Sequence, residues 1–219
     1  MPNDTNLDID LTAAESAAIT SVEQLESLFG QPKHTSVAKE SEAMTQLEQE
    51  FIRASPFHLL ATSHTDGTCD VSPRGDPPGS VHLLCDRTLI LPERAGNKRV
   101  DSLRNIVVNP QVGLLFIVPG LDETLRVNGT ARLTTHAPLL ARFPMQGKVP
   151  ELAIIVHTEA VYMHCARAFR RSKLWDTATW PEPGTVPAMP AVLKDKLALP
   201  EPLAEIAAER EERYRQSLY

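Results

Sequence analysis

The sequence predicts an α+β protein: an antiparallel split β-barrel with helical extensions at its N- and C-terminal ends. Three observations carry this prediction. Short apolar/polar alternations come in pairs joined by turn residues, helical periodicity is concentrated at the ends and in two connections, and no alternating strand–helix series occurs.

Residues 1–12 are polar and irregular. The stretch "TAAESAAITSVEQLESLFGQP" follows, with an N-cap candidate at Thr12, apolar positions Ile19, Val22, Leu25 and Leu28, and a stop at Gly30 and Pro32. It reads as an amphipathic helix or helix pair. A second helix is expected over 40–54, with Met44, Leu47, Phe51 and Ile52 on one stripe, ending before Ser55-Pro56.

From Phe57 the period changes to two. "FHLLATS" and "TCDVS" flank an Asp-Gly turn, a strong short-range hairpin signal. The stretches 81–84 and 88–91 form a second hairpin around Cys85-Asp86-Arg87. A helix carrying Val100, Leu103, Ile106 and Val107 comes next and stops at Asn109-Pro110. "QVGLLFIV", "PGLD" and "ETLRVNGTARLTT" make a third hairpin, in which Gly129 suggests a bulge or barrel corner. A short helix over 137–145 leads to "ELAIIVHTEAVYMHCARA", a long strand apolar on both faces.

The strand count comes to six or seven. The tail is Pro-rich over 180–190 and helical over 191–218, an arm able to wrap a neighbour or its own barrel. Three parts result: a helical lead-in (1–54), the barrel (55–180), and a linker with a helical arm (181–219).

Composition narrows the function. With 219 residues, 42% hydrophobic, one sizeable core is affordable. A net charge of −6 and the lack of a Lys/Arg run argue against nucleic acid. Cys69, Cys85 and Cys165 show no CxxC spacing, which fits a reducing, cytoplasmic setting. No signal peptide pattern or long apolar run points to secretion or a membrane. The histidines lack metal-site spacing, and His164 and Cys165, adjacent on a strand, point to opposite faces and make a poor base–nucleophile pair.

"PERAGNKRVDSLRNI" poses the sharpest question. Arg94, Lys98 and Arg99 crowd what reads as the first turn of a helix, where the dipole repels cations by roughly 0.3–1 kcal/mol each. As solvated surface they would be a mild defect. As a cluster beside Gly96, with Asn97 as cap, they can converge on one phosphate. Neither a P-loop nor a GxGxxG fingerprint is present. "DVSPRGDPPGS" is a second unusual stretch, read on turn chemistry as a rigid turn with an Arg–Asp pair.

Together, "FHLLATSHTDGTCDVSPRGDPPG", "LPERAGNKRVDSLRNIVVNPQVGLLF" and "ETLRVNGTARL" resemble the pyridoxamine 5'-phosphate oxidase-like family of FMN-binding split barrels, over about residues 51–180. "HCARAFRRSKLWD" is similar to the end segment of an FMN-dependent subgroup.

The resemblance implies a six-stranded antiparallel barrel that forms a homodimer, with FMN in each of two clefts between the subunits. It implies that Val71, Ser72 and Arg74 lie along the flavin ring and ribityl chain and that Leu91 follows the ring's edge. Asn97, Lys98 and Arg99, with Arg94 nearby, would bind the phosphate. Thr124 would contact the ring, and Lys173 and Trp175 would arrive from the partner subunit.

FMN chemistry is electron-pair transfer at N5, which benefits from a cation or N–H near N1; Arg126 and Lys173 are candidates for that role. Catalytic acid and base residues are not identifiable. The implied activity is an oxidoreductase acting on a small-molecule substrate, with NAD(P)H as a possible reductant. Where vitamin B6 phosphate oxidases resemble one another in an Arg-Leu-His-Asp-Arg type segment, this chain has "RRSKLWDTATW", so that substrate is not expected. A flavin- or haem-storing barrel and an F420-dependent reductase are the alternatives.

Overall fold

The computed structural model describes residues 10–94 and 96–219; of the expected irregular N-terminal segment, residues 1–9 lie outside the described residues. The chain divides into two units, 1–39 and 40–219.

The first unit holds α1 (Leu11–Ser16), α2 (Val22–Phe29) and α3 (His34–Ala38). The expected Thr12 cap is corrected: Asp10 Oδ1 accepts from the Ala13 amide at 3.1 Å, and Ser21 caps α2. These helices bury no residue. The apolar stripe of Ile19, Val22, Leu25 and Leu28 is exposed.

The second unit starts before α4 (Gln46–Ala54), so this helix belongs with the barrel instead of with the lead-in expected to run to residue 54. The reason is packing: Met44 and Ile52 are buried in the barrel core. Thr45 and Glu48 form a reciprocal capping box that sets where α4 begins.

The sheet contains β1 (Phe57–Ser63), β2 (Cys69–Gly75), β3 (His82–Cys85) and β4 (Thr88–Pro92). After α5 (Asp101–Val108) come β5 (Gln111–Ile117), β6 (Thr124–Thr134), α6 (Ala137–Leu140) and β7 (Ala153–His164). The order is β2-β1-β5-β6-β7-β4-β3, and every pairing is antiparallel. The count is therefore seven, not six, with β2 and the short β3 at the two edges among the described residues.

The Asp66-Gly67 turn closes the first hairpin with Gly67 at φ 89°, and Asp66 Oδ1 accepts from the Thr68 amide at 2.9 Å. Gly129 sits at a register shift between β6 and β7, and a Cβ there would lie 2.0 Å from the His157 carbonyl oxygen. That close backbone approach accompanies the bulge, one of the two readings the sequence offered at Gly129.

Leu60, Leu114, Phe116, Leu125, Val127, Val156 and Val161 fill the interior with under 2% exposure. Each such side chain contributes about 1.5–3 kcal/mol. α5 packs on β1, β2 and β6 through Ile106 and Leu103.

Beyond the sheet lie α7 (Arg167–Ser172), a 3-10 turn (Thr177–Thr179), α8 (Met189–Leu197) and α9 (Leu203–Ser217). The single tail helix expected over 191–218 is thus two, broken where Ala198 turns left-handed ahead of Pro200 and Pro202. The helix expected over 137–145 ends early, at Leu140. No helix among the described residues is long and apolar enough to cross a membrane.

Candidate functional site

The edge strand β2 continues past Ser72 through Pro73 to Gly75, because a proline costs no ladder bond when its nitrogen faces outward on an edge. Period two then puts Asp70, Ser72 and Arg74 on one face and Val71 on the other. The first three line a cleft of about 940 Å³, bounded also by Leu91, Glu93 and Arg94 at the end of β4, by the loop 96–100, and by the start of α5. Val71 is 60% exposed and lies outside this wall.

The basic loop differs from the expected helical turn. α5 begins only at Asp101, its N-cap is Val100 in the left-handed region (φ 52°), and no side chain caps it. Asn97 is not the cap; its Oδ1 accepts from the Arg99 amide at 3.0 Å, tightening the loop instead. Lys98 is also left-handed at φ 61°. Two non-glycine residues in this region store on the order of 1–3 kcal/mol each, a strain typical of ligand-binding loops.

The cations are largely paired. Arg94 Nε donates to Asp76 at 2.8 Å and its Nη1 to the Phe143 carbonyl at 3.0 Å. Arg74 pairs with Glu93, so the Arg–Asp pair expected within "DVSPRGDPPGS" is replaced by two pairs that cross from β2 and its following turn to the end of β4. Arg99 donates to Asp101 at 2.8 Å, which holds its guanidinium pKa above the usual value. Lys98 has no carboxylate partner among the described residues.

A proton count fixes the polarity of the β2 wall. Ser102 gives its only hydrogen to Asp70 at 2.6 Å, so in the 3.0 Å contact between the two hydroxyls Ser72 must be the donor. Ser72 also accepts from Arg74 Nε at 3.2 Å. Its hydroxyl hydrogen is committed within the protein, and what it offers a ligand is a lone pair.

His58 forms part of the same wall, 7% exposed, its ring 5.0 Å from that of Phe116. Burial, then the charge of Arg74, lowers its pKa to about 4, and its buried Nε2 has no hydrogen-bond partner among the described residues. It is neutral at physiological pH.

Seven of the eleven expected site residues therefore meet in one cleft: Ser72, Arg74, Leu91, Arg94, Asn97, Lys98 and Arg99. Thr124 does not; it is buried at the start of β6, opposite Ile117 and His164. Lys173 caps the end of α7 in a left-handed conformation, and Trp175 Nε1 donates to the Leu121 carbonyl at 2.8 Å. Arg126 bonds the Tyr162 hydroxyl at 3.0 Å, outside the cleft.

Sequence reasoning missed Asp70, Glu93, Ser102 and Lys148, and gave Asp76 the wrong arginine as partner. Alternation along β2 could have found Asp70 as the companion of Ser72 and Arg74. Nothing local signals Lys148.

An antiparallel sheet of this order, with a polar cleft beside its edge strand, defines an α+β split-barrel protein. Residues 44–165 match the family model described as pyridoxamine 5'-phosphate oxidase, and the chain belongs to that family. Among solved structures it is similar to HupZ of Group A Streptococcus, at 24% identity over 54% of this chain and 91% of that one, TM-score 0.43. It is also similar to an FMN-binding protein from Syntrophomonas wolfei subsp. wolfei, at 12% identity over 71% and 97%, TM-score 0.41. A third is General Stress Protein 26 from Bacillus anthracis str. Sterne, at 17% identity over 52% and 88%, TM-score 0.38. No curated protein matches.

Proposed function

We propose that the chain is an FMN-binding flavoprotein oxidoreductase, working as a homodimer with a cofactor at each subunit interface and acting on a small organic substrate. The observation that carries this reading is the cleft itself. Its volume of about 940 Å³ lies within the range of cofactor pockets, and it combines an apolar side (Val81, Leu91, Leu103, Ile154) with a cationic loop.

The residues present fit FMN. Lys98, lacking a carboxylate partner, and Arg99, on the mouth of the cleft, would hold the phosphate, with Arg94 behind them pinned by Asp76. Leu91 would give the ring an apolar contact. Arg74, oriented by Glu93 and Ser72, would supply a fixed positive charge. Bound there, FMN would supply electron-pair transfer at its N5. Neutral His58 holds no proton to donate as an imidazolium, so it is not assigned as an acid.

Thr124, Lys173 and Trp175 lie outside this cleft, and a second subunit is the means by which they would reach a cofactor. The tail segment "RRSKLWDTATW" in place of the vitamin B6 gripping segment supports a different substrate.

Purified protein titrated with FMN, F420 and haemin tests the reading. FMN is expected to bind with flavin absorbance and to raise folding stability by about 2.7 kcal/mol at a hundredfold excess over Kd. Sedimentation equilibrium is expected to show a dimer. Preference for either competing cofactor, or no stabilisation by FMN, overturns the assignment. Bleaching of the bound flavin by NAD(P)H and recovery in air would support turnover over passive storage.

A further inference from the structure

The C-terminal arm ends in the candidate site. Beyond α9, Leu218 and Tyr219 line the same cleft as Arg94, Lys98 and Arg99. Lys148 Nζ donates to the Tyr219 carbonyl oxygen. The Tyr219 phenol lies within the influence of Asp76, the carboxylate that also holds Arg94. Burial and then the Asp76 charge raise the phenol's pKa above the usual tyrosine value, so the phenol keeps its proton and stays a donor.

From this geometry we infer that the Leu218–Tyr219 segment is an intramolecular competitor for the cleft, which a cofactor must displace. The inference rests on the FMN reading above. Three features support displacement over permanent closure. Leu218 remains 63% exposed, so little apolar burial holds the segment. The tail's anchor is a polar contact to Lys148, a group that belongs to the charged wall of the cleft and exchanges readily with water or a ligand. α9 itself buries no residue, and α8 is its main packing partner, so the arm can swing without exposing core.

A segment closed about nine-tenths of the time raises the apparent Kd of an entering ligand about tenfold. Its removal should therefore speed association and leave dissociation unchanged.

The test uses the full chain, Tyr219→Ala, and a chain stopped after Ser217. FMN binding is followed by stopped-flow fluorescence, and hydrogen exchange of the tail amides by mass spectrometry. The expected result is an association rate and affinity about three- to tenfold higher in both variants. In the full chain, tail amides protected without FMN should lose protection when it is added. Equal FMN affinity and rate in all three chains overturns the inference and leaves the FMN reading intact. Weaker binding in the variants also overturns it, making the tail a strap that retains the cofactor. FMN bound by none of the three overturns the FMN reading and this inference with it.

Discussion

The cleft beside β2 and the patch around the β5–β6 turn use the same kinds of side chain and hold them differently. In the cleft, Arg94 and Asp76 are 16% and 10% exposed, and each is fixed by a partner from a separate stretch of chain. In the patch, Arg170 is 72% exposed where it bonds Asp122, and Trp175 is tied to one carbonyl of the neighbouring turn. Charges held between two strand ends are ordered before a ligand arrives. Charges on a turn are ordered only if a second surface meets them. A cofactor shared between subunits would need both kinds.

The largest expected effect is on the cleft side. Arg94→Met leaves the Asp76 carboxylate with little solvent and no cationic partner, and should cost about 3 kcal/mol of stability in urea unfolding. Arg170→Met should cost no more than about 1 kcal/mol. Equal losses would remove the distinction between the two regions.

A comparable effect comes from pH. The pKa of His58 is depressed in the fold, to about 4 from an ordinary 6.5, so below pH 6.5 the unfolded chain binds the extra proton. The stability of keeping it neutral is fully present above pH 6.5 and is lost as pH falls toward 4, by up to about 3 kcal/mol. His58→Leu should flatten that acid limb in denaturant titrations at pH 7 and pH 5. An unchanged limb would show that His58 is accessible.

Next come the loop cations. Lys98→Ala and Arg99→Ala should each weaken FMN binding about tenfold, with thermal stability unchanged, because neither is buried. Arg210→Ala, on α9 and outside the cleft lining, should leave FMN affinity unaltered. Equal affinities for the Arg99 and Arg210 variants would mean that the phosphate site lies elsewhere. Trp175→Phe should cost about 0.5–1.5 kcal/mol of stability for the one hydrogen bond lost. If the dimer brings Trp175 to the cofactor, its FMN affinity should fall as well; a fall in stability alone would confine the residue to its own turn.

Much of the cleft was legible because its parts are local in sequence. The alternation of β2 and the run from Arg94 to Arg99 lie within 31 residues, and short-range geometry brings most of their side chains to one wall. Val71 stands apart from Ser72 and Arg74 because a strand divides neighbouring residues between two faces. Asn97 was expected to cap α5 from its position before the helix, but the two left-handed residues Lys98 and Val100 delay the helix to Asp101. Glu93 and Asp76 were hidden as partners because exchange of the expected Arg–Asp pair requires knowing which strand end faces which.

Periodicity and turn chemistry alone determined the antiparallel strands, the irregularity at Gly129 and the location of the cationic loop, since each depends on contacts among a few neighbouring residues. Only the tertiary structure decided that α4 joins the barrel, that the guanidiniums meet their carboxylates across the cleft, and that Lys148 and Tyr219 reach the same cleft. Such pairings join residues tens of positions apart, and the free energy that selects among them comes from burial and charge in a shared space that no local pattern encodes.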